Sequence, residues 1–246
     1  MLTNKNYSLD CRIYTPENPE SNFYNVRSTL DIYVLSHFFG WIFKSILLRN
    51  SWMSWIMSIQ FEIYELSLRH WLPNFYECWW DSLILDLFGC NALGIMIGAY
   101  IIDRFNIPKF HWFFEPSERS QIRPYYQRFF FSLVEVREHV EEQRWHVFAS
   151  AKNLLTIIWF LILNSIADLN NFLVKKMLGI PSSHFFLITR FIVLCLFGVV
   201  MSRDFYDYTR MPDGHKKINF NMYLFHFILL AEVAIFVRNF QRDLIS

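Results

Sequence analysis

Six stretches of this chain are apolar over lengths close to the ~20 residues that a helix needs to cross a bilayer. They cover residues 30–48, 52–68, 75–102, 154–174, 185–201 and 220–237, and the charge concentrates between them. A soluble domain carries about a quarter charged residues, whereas this chain is 18% charged, 54% hydrophobic and 20% aromatic. The pattern predicts an all-α fold, a polytopic transmembrane helix bundle of about six membrane helices, incomplete on its own because polar residues begin almost at the first helix. Residues 1–27, with two prolines, read as a polar lead-in. Residues 28–237 read as the membrane domain that carries the chemistry, with 103–152 as an extramembrane or interfacial loop region, and 238–246 as a tail. The lead-in lacks the basic-then-apolar plan of a signal peptide, so insertion is expected to rely on the internal helices. A formal net charge of +1 and the lack of a basic tract exclude the bulk field of a nucleic-acid binder.

Within this apolar background, residues 61–98 hold five acids: Glu62, Glu65, Glu77, Asp81 and Asp86. A carboxylate in apolar surroundings costs several kcal/mol unless it meets a cation, a proton or water, so the cluster marks a candidate site. Glu62 and Glu65 project from one helix face; Arg69, four residues after Glu65, offers it a plain ion pair instead. Counting about 100° per residue from Glu77 puts Asp81, Asn91 and Asn74 within ~60° of it, while Asp86 falls near 180°. Asn74 and Glu77 also fit an N-terminal capping box. Oxygen ligands without zinc-type Cys or His spacing favour a hard cation, Ca²⁺, Mg²⁺ or Mn²⁺, and spacing alone does not choose among them.

The remaining polar residues have plainer readings. A lone histidine such as His37 is commonly a core or interfacial residue. The four cysteines show no CxxC pair, so a disulfide framework or zinc knuckle is not expected, and Cys78 and Cys90 read as small hydrophobes. Trp79-Trp80 reads as part of an interfacial belt. Asp168, Arg190 and Glu232 are single intramembrane charges that pair with one another or with lipid headgroups. Gly89, Ala92, Gly94 and Gly98 would let a neighbouring helix come close.

Taken together, SHFFGW (36–41), FEIYEL (61–66), LPNFYECWWD (72–81), ILD (84–86) and CN (90–91) resemble the eukaryotic base-exchange phosphatidylserine synthases. Weaker similarity runs through ADLNNFLVKKML (167–178), PSSH (181–184) and SRDFYDY (202–208). The resemblance implies a multi-pass enzyme of the endoplasmic-reticulum membrane. It would exchange the headgroup of phosphatidylcholine or phosphatidylethanolamine for L-serine, with Ca²⁺ and without a nucleotide. It implies catalytic roles for His37, Asn74, Asp86 and Asn91, and metal ligation by Glu62, Glu65, Glu77 and Asp81. It implies product feedback through Arg123, Gln127 and Arg203. A homodimer is a further expectation. Family members are usually much longer, with additional membrane helices ahead of the histidine segment, and many have consecutive glycines where this chain has Ala92-Leu93.

The chemistry suits these residues. Exchange of one phosphodiester alcohol for another is nearly balanced in free energy, so no Gly-rich nucleotide loop is needed and none is seen. His37 is suited to move a proton between the two alcohols, with a covalent phosphatidyl-histidine as the open alternative. Two other classes compete: a phosphatidyltransferase using a CDP-activated alcohol, whose DG..AR..G...D...D pattern is not found, and a cation channel or transporter lined by the acids.

Overall fold

The computed structural model describes residues 10–30, 32–69, 72, 75–113, 147–181, 184–211 and 216–245. All regular structure among them is helical. The helices are α1 (Tyr24–Thr29), α2 (Ile32–Leu48), α3 (Ser51–Leu68), α4 (Asp81–Arg104), α5 (Ala151–Leu178), α6 (Phe185–Arg210) and α7 (Phe220–Ile245). Four of them, α4 to α7, are long and apolar enough to cross a membrane, and α2 contributes a shorter apolar helix. The chain is therefore an all-α, multi-pass membrane protein. The apolar stretch at 52–68 forms α3, an 18-residue helix that carries Glu62 and Glu65 and is not among the four.

Three helix boundaries differ from the sequence expectation. Residues 76–78 are not helical, so Glu77 stands on irregular chain ahead of α4. Arg203 lies on α6, which runs on to Arg210 past the apolar stretch that ends at 201. The last helix continues to Ile245, through the residues read as a tail. At the two C-terminal ends hydropathy breaks off where charge resumes, but the helix keeps its backbone bonds past that point.

The chain divides into two compact units, one of residues 1–46 and 51–103, the other of 47–50 and 104–246. In the first, α2 and α4 pack backbone to backbone. A Cβ on Gly94 would lie 2.8 Å from the Phe38 carbonyl oxygen and the Trp41 Cβ, and one on Gly98 would lie 2.6 Å from the Ser45 Cβ. The Ser45 hydroxyl donates to the Ile95 carbonyl at 3.4 Å.

The N-terminal segment is fastened to this unit by a Cys11–Cys78 disulfide, which corrects the reading of Cys78 as a free small hydrophobe. Cys90 remains a buried free thiol. Spacing rules detect local cysteine motifs, and this pair is 67 residues apart. The Trp80 indole N–H adds a bond to the Cys11 carbonyl at 3.1 Å. Hydrogen bonds from Arg12 hold the Asp10 carboxyl down to about 2, and Arg12 also pairs with Glu17 at 2.6 Å. A crosslink closing so long a loop contributes roughly 4 kcal/mol on the chain-entropy account. Cys11→Ser is expected to lower the melting temperature of the purified protein under oxidising conditions and to abolish the effect of added reductant; equal melting of both forms would count against the bond.

In the second unit, Ser150 caps α5 by accepting from the Asn153 N–H, and Gly179, at φ +61°, closes it in the left-handed conformation that glycine adopts without strain. Its core is aromatic: Phe110 stacks on Tyr206 at 4.4 Å, Phe160 on Phe205 at 4.7 Å, and Trp112 is fully buried among them. Arg49, also buried, lies 4.7 Å from the Phe110 ring centroid. Two of the single intramembrane charges meet each other: Arg190 lies 2.6 Å from Glu232 across α6 and α7.

Candidate functional site

The first turns of α4 are not α-helical. Residues Asp81–Asn91 wind as a π-helix, which reverts to α geometry at Ala92. Asp81, Asp86 and Asn91 recur every five residues, and the π-helix bonds each residue to the fifth one on. In an α-helix such neighbours point about 140° apart. Here all three face inward, with relative exposures of 6%, 4% and 0%. The outlying position given to Asp86 by a straight-helix count is thereby corrected. The wider winding, which includes Gly89, brings it to the side of the helix that Asp81 and Asn91 occupy.

Asn91 ties this face to α3. Its amide N–H₂ donates to the Ser58 hydroxyl at 3.1 Å and to Glu62 Oε1 at 2.9 Å. Glu65, one turn further along α3, is 3% exposed, and its Oε1 lies 4.0 Å from Nε2 of His37 on α2. The His37 ring packs edge-on to Phe61 at 6.1 Å. Glu77 accepts from the Ser82 hydroxyl at 3.4 Å. Glu62, Glu65, Glu77, Asp81 and Asp86 lie close enough to act electrostatically on one another. Like charges at such distances in a buried site call for protons or a cation.

Three acceptor atoms sharpen this. Glu62 Oε2, Glu65 Oε2 and Asn91 Oδ1 are buried without a hydrogen-bond partner. Leaving a buried polar atom unmet costs about 1–3 kcal/mol, so a cluster of three needs something to meet it. All three are oxygens, the donor type that hard cations prefer. Among the described residues, no three His, Cys, Asp or Glu side chains are already drawn into metal-ligand geometry. The acids form a loose cluster, not a closed coordination shell.

The structure thus gathers His37, Glu62, Glu65, Glu77, Asp81, Asp86 and Asn91 in one unit. Asn74, Arg123 and Gln127 lie outside the described residues. Arg203 belongs to the second unit, where its guanidinium donates to Asp204 at 2.7 Å, while Asn219 donates to the other oxygen of that carboxylate at 2.7 Å. Sequence reasoning did not single out Ser58 or Ser82. Ser58 was within reach of a helical count, four residues before Glu62 on the same face of α3; Ser82 was not, because its partner Glu77 is on irregular chain.

The family model described as "Phosphatidyl serine synthase" matches residues 1–240. The chain is 32% identical over 241 residues to phosphatidylserine synthase 2 of Homo sapiens, covering 96% of this chain and 48% of that protein. It is 31% identical over 238 residues to CDP-diacylglycerol–serine O-phosphatidyltransferase 2 of Oryza sativa subsp. japonica, covering 95% of this chain and 55% of that one. The corresponding protein 1 of Arabidopsis thaliana is 32% identical over 241 residues, with 96% and 55% covered. The chain spans about half the length of these relatives. With the match extending over almost every residue, including the whole acid cluster and the histidine beside it, the chain belongs to the phosphatidylserine synthase family.

Proposed function

We propose that this chain carries the catalytic part of a membrane serine phosphatidyltransferase that makes phosphatidylserine by base exchange. The choline or ethanolamine of a phospholipid leaves and L-serine takes its place. The observation that carries this reading is the inward face of Asp81, Asp86 and Asn91, set against Glu62 and Glu65 with three buried acceptor oxygens unmet. Such a cluster suits a divalent cation, Ca²⁺ on the family resemblance, held by Glu62, Glu65, Glu77 and Asp81. When bound, the cation would neutralise phosphate oxygens and the charge that builds on them in the transition state.

The chain's own residues do the rest. His37 takes the proton of the serine hydroxyl as that oxygen attacks phosphorus, and returns a proton to the oxygen of the departing alcohol. Glu65, with Oε1 4.0 Å from its Nε2, flanks the ring on the α3 side. Asn91, anchored to Ser58 and Glu62, keeps α3 and α4 in register so that the acids stay together. Asp86, on the same face, is placed to orient serine. The membrane of the endoplasmic reticulum is the location that the family resemblance supports, and localisation of a tagged full chain tests it.

The names of the plant relatives favour a second reading, in which CDP-diacylglycerol supplies the phosphatidyl group. Incorporation of labelled serine separates the two. Purified protein in phosphatidylcholine or phosphatidylethanolamine membranes is expected to form phosphatidylserine without CDP-lipid and to stop when a chelator is added. Product formed only with CDP-diacylglycerol would transfer the assignment to that donor. Cation flux in proteoliposomes without serine incorporation would point to a channel or transporter. Glu65→Gln is expected to raise the Ca²⁺ needed for half activity about tenfold, because ligand charge tunes Ca²⁺ affinity over several decades; an unchanged requirement counts against ligation.

A further inference from the structure

Between α6 and α7 lies an open groove of about 340 Å³, lined by Val193, Leu194, Phe197 and Phe225, with the Arg190–Glu232 pair at one end. That polar end has bonding capacity left. Arg190 is 11% exposed at its side chain and uses two of its N–H groups, one to Asn171 at 2.9 Å and one to Glu232 at 2.6 Å. Glu232 Oε2 accepts from Arg190 and, at 2.9 Å, from Asn170, while Oε1 has no hydrogen-bond partner among the described residues. The groove therefore offers spare guanidinium donors and a spare carboxylate oxygen at the mouth of an apolar slot.

Its position along the helix fits a lipid. Arg190 is five residues into the 26-residue α6, about 8 Å from its start at ~1.5 Å per residue. From that depth in the apolar stretch an arginine side chain reaches outward toward the headgroup region. From there Val193, Leu194 and Phe197 continue inward for about 10 Å, and the Phe197–Phe225 ring pair, 5.9 Å apart, closes the slot. The Arg–Glu pair is net neutral, so it suits a headgroup that carries phosphate and ammonium together better than a purely anionic one.

We propose that this groove binds a zwitterionic membrane phospholipid, with one acyl chain in the slot, its phosphate on Arg190 and its ammonium group against Glu232. None of these residues belongs to the acid cluster. The headgroup class is that of the donors proposed above, but binding is read without turnover, so the two readings fail separately.

The test is photolabelling of the full chain in nanodiscs with phosphatidylcholine bearing a photoreactive acyl chain. Label is expected on α6 and α7 at the groove walls, falling about tenfold in Leu194→Trp, which fills the slot and leaves the Arg190 bonds intact. Arg190→Gln is expected to lower it similarly, with melting temperature measured alongside because that change also breaks the bonds to Asn171 and Glu232. Ile192→Trp, at a position 51% exposed on the same helix, is expected to leave labelling unchanged. Matched diacylglycerol and phosphatidic acid probes are expected to label about tenfold less. Undiminished labelling in Leu194→Trp, or equal labelling by either of those probes, overturns the proposal.

Discussion

Replacing His37 with alanine is expected to reduce serine incorporation roughly 10²–10⁴-fold, the range that a positioned general base or acid contributes, while the protein still inserts and folds. The side chain is 15% exposed, packs edge-on against Phe61, and has Nε2 4.0 Å from Glu65 Oε1. Removing it leaves a small cavity beside α3 and does not touch the Asn91–Glu62–Ser58 bonds. Divalent-cation binding, followed through Trp79 and Trp80 beside the acids, should therefore persist in the inactive variant. Loss of both activity and cation binding would assign His37 a structural role, and near wild-type activity would remove it from catalysis. The same variant addresses the two chemistries open to a histidine. A covalent phosphatidyl-histidine would appear as labelled protein when radiolabelled phospholipid is supplied without serine and would vanish in His37→Ala, whereas a general base leaves no label in either.

The membrane helices were legible in sequence because hydropathy and length are properties of a single segment; the starts of α2, α3, α6 and α7 fall within two residues of the stretches read from composition. The identity of the acids was legible for the same reason: a carboxylate in an apolar run stands out whatever its neighbours do. Their mutual geometry was not. An angular count assumes one helical pitch, and the five-residue recurrence of Asp81, Asp86 and Asn91 becomes a face only because α4 opens as a π-helix. No local residue type announces that winding, which the bonds of Asn91 to α3 hold in place. The Cys11–Cys78 bond was hidden similarly, since its partners lie far apart in sequence and are brought together by the N-terminal segment folding back. What sequence under-determined in each case was long-range contact.

Gly98→Val is also expected to reduce serine incorporation sharply, although Gly98 touches no acid. Its missing Cβ is what lets α2 lie against α4: an added carbon would stand 2.6 Å from the Ser45 Cβ and 2.8 Å from the Ile42 carbonyl oxygen. A change of rotamer moves the Ser45 hydroxyl but not its Cβ, and a backbone carbonyl within a helix cannot move alone, so the helices must separate. Overpacking of this kind costs about 1–3 kcal/mol. Separation also withdraws α2, the helix that carries His37, from the face formed by Asp81, Asp86 and Asn91. Misplacement by about 1 Å can cost 10²-fold in rate. Serine incorporation should therefore fall at least about tenfold beyond what a lower melting temperature explains. Gly40→Ala is the internal control, because it adds the same carbon to α2 where nothing lies within 4 Å, and it should be neutral or stabilise by roughly 0.5–1 kcal/mol through helix propensity. Ser45→Gly placed on Gly98→Val should restore only part of the loss, since it removes the Cβ contact and leaves the Ile42 carbonyl in place. Full activity in Gly98→Val would mean that close approach of α2 and α4 does not position the histidine, and that the acid cluster works without it.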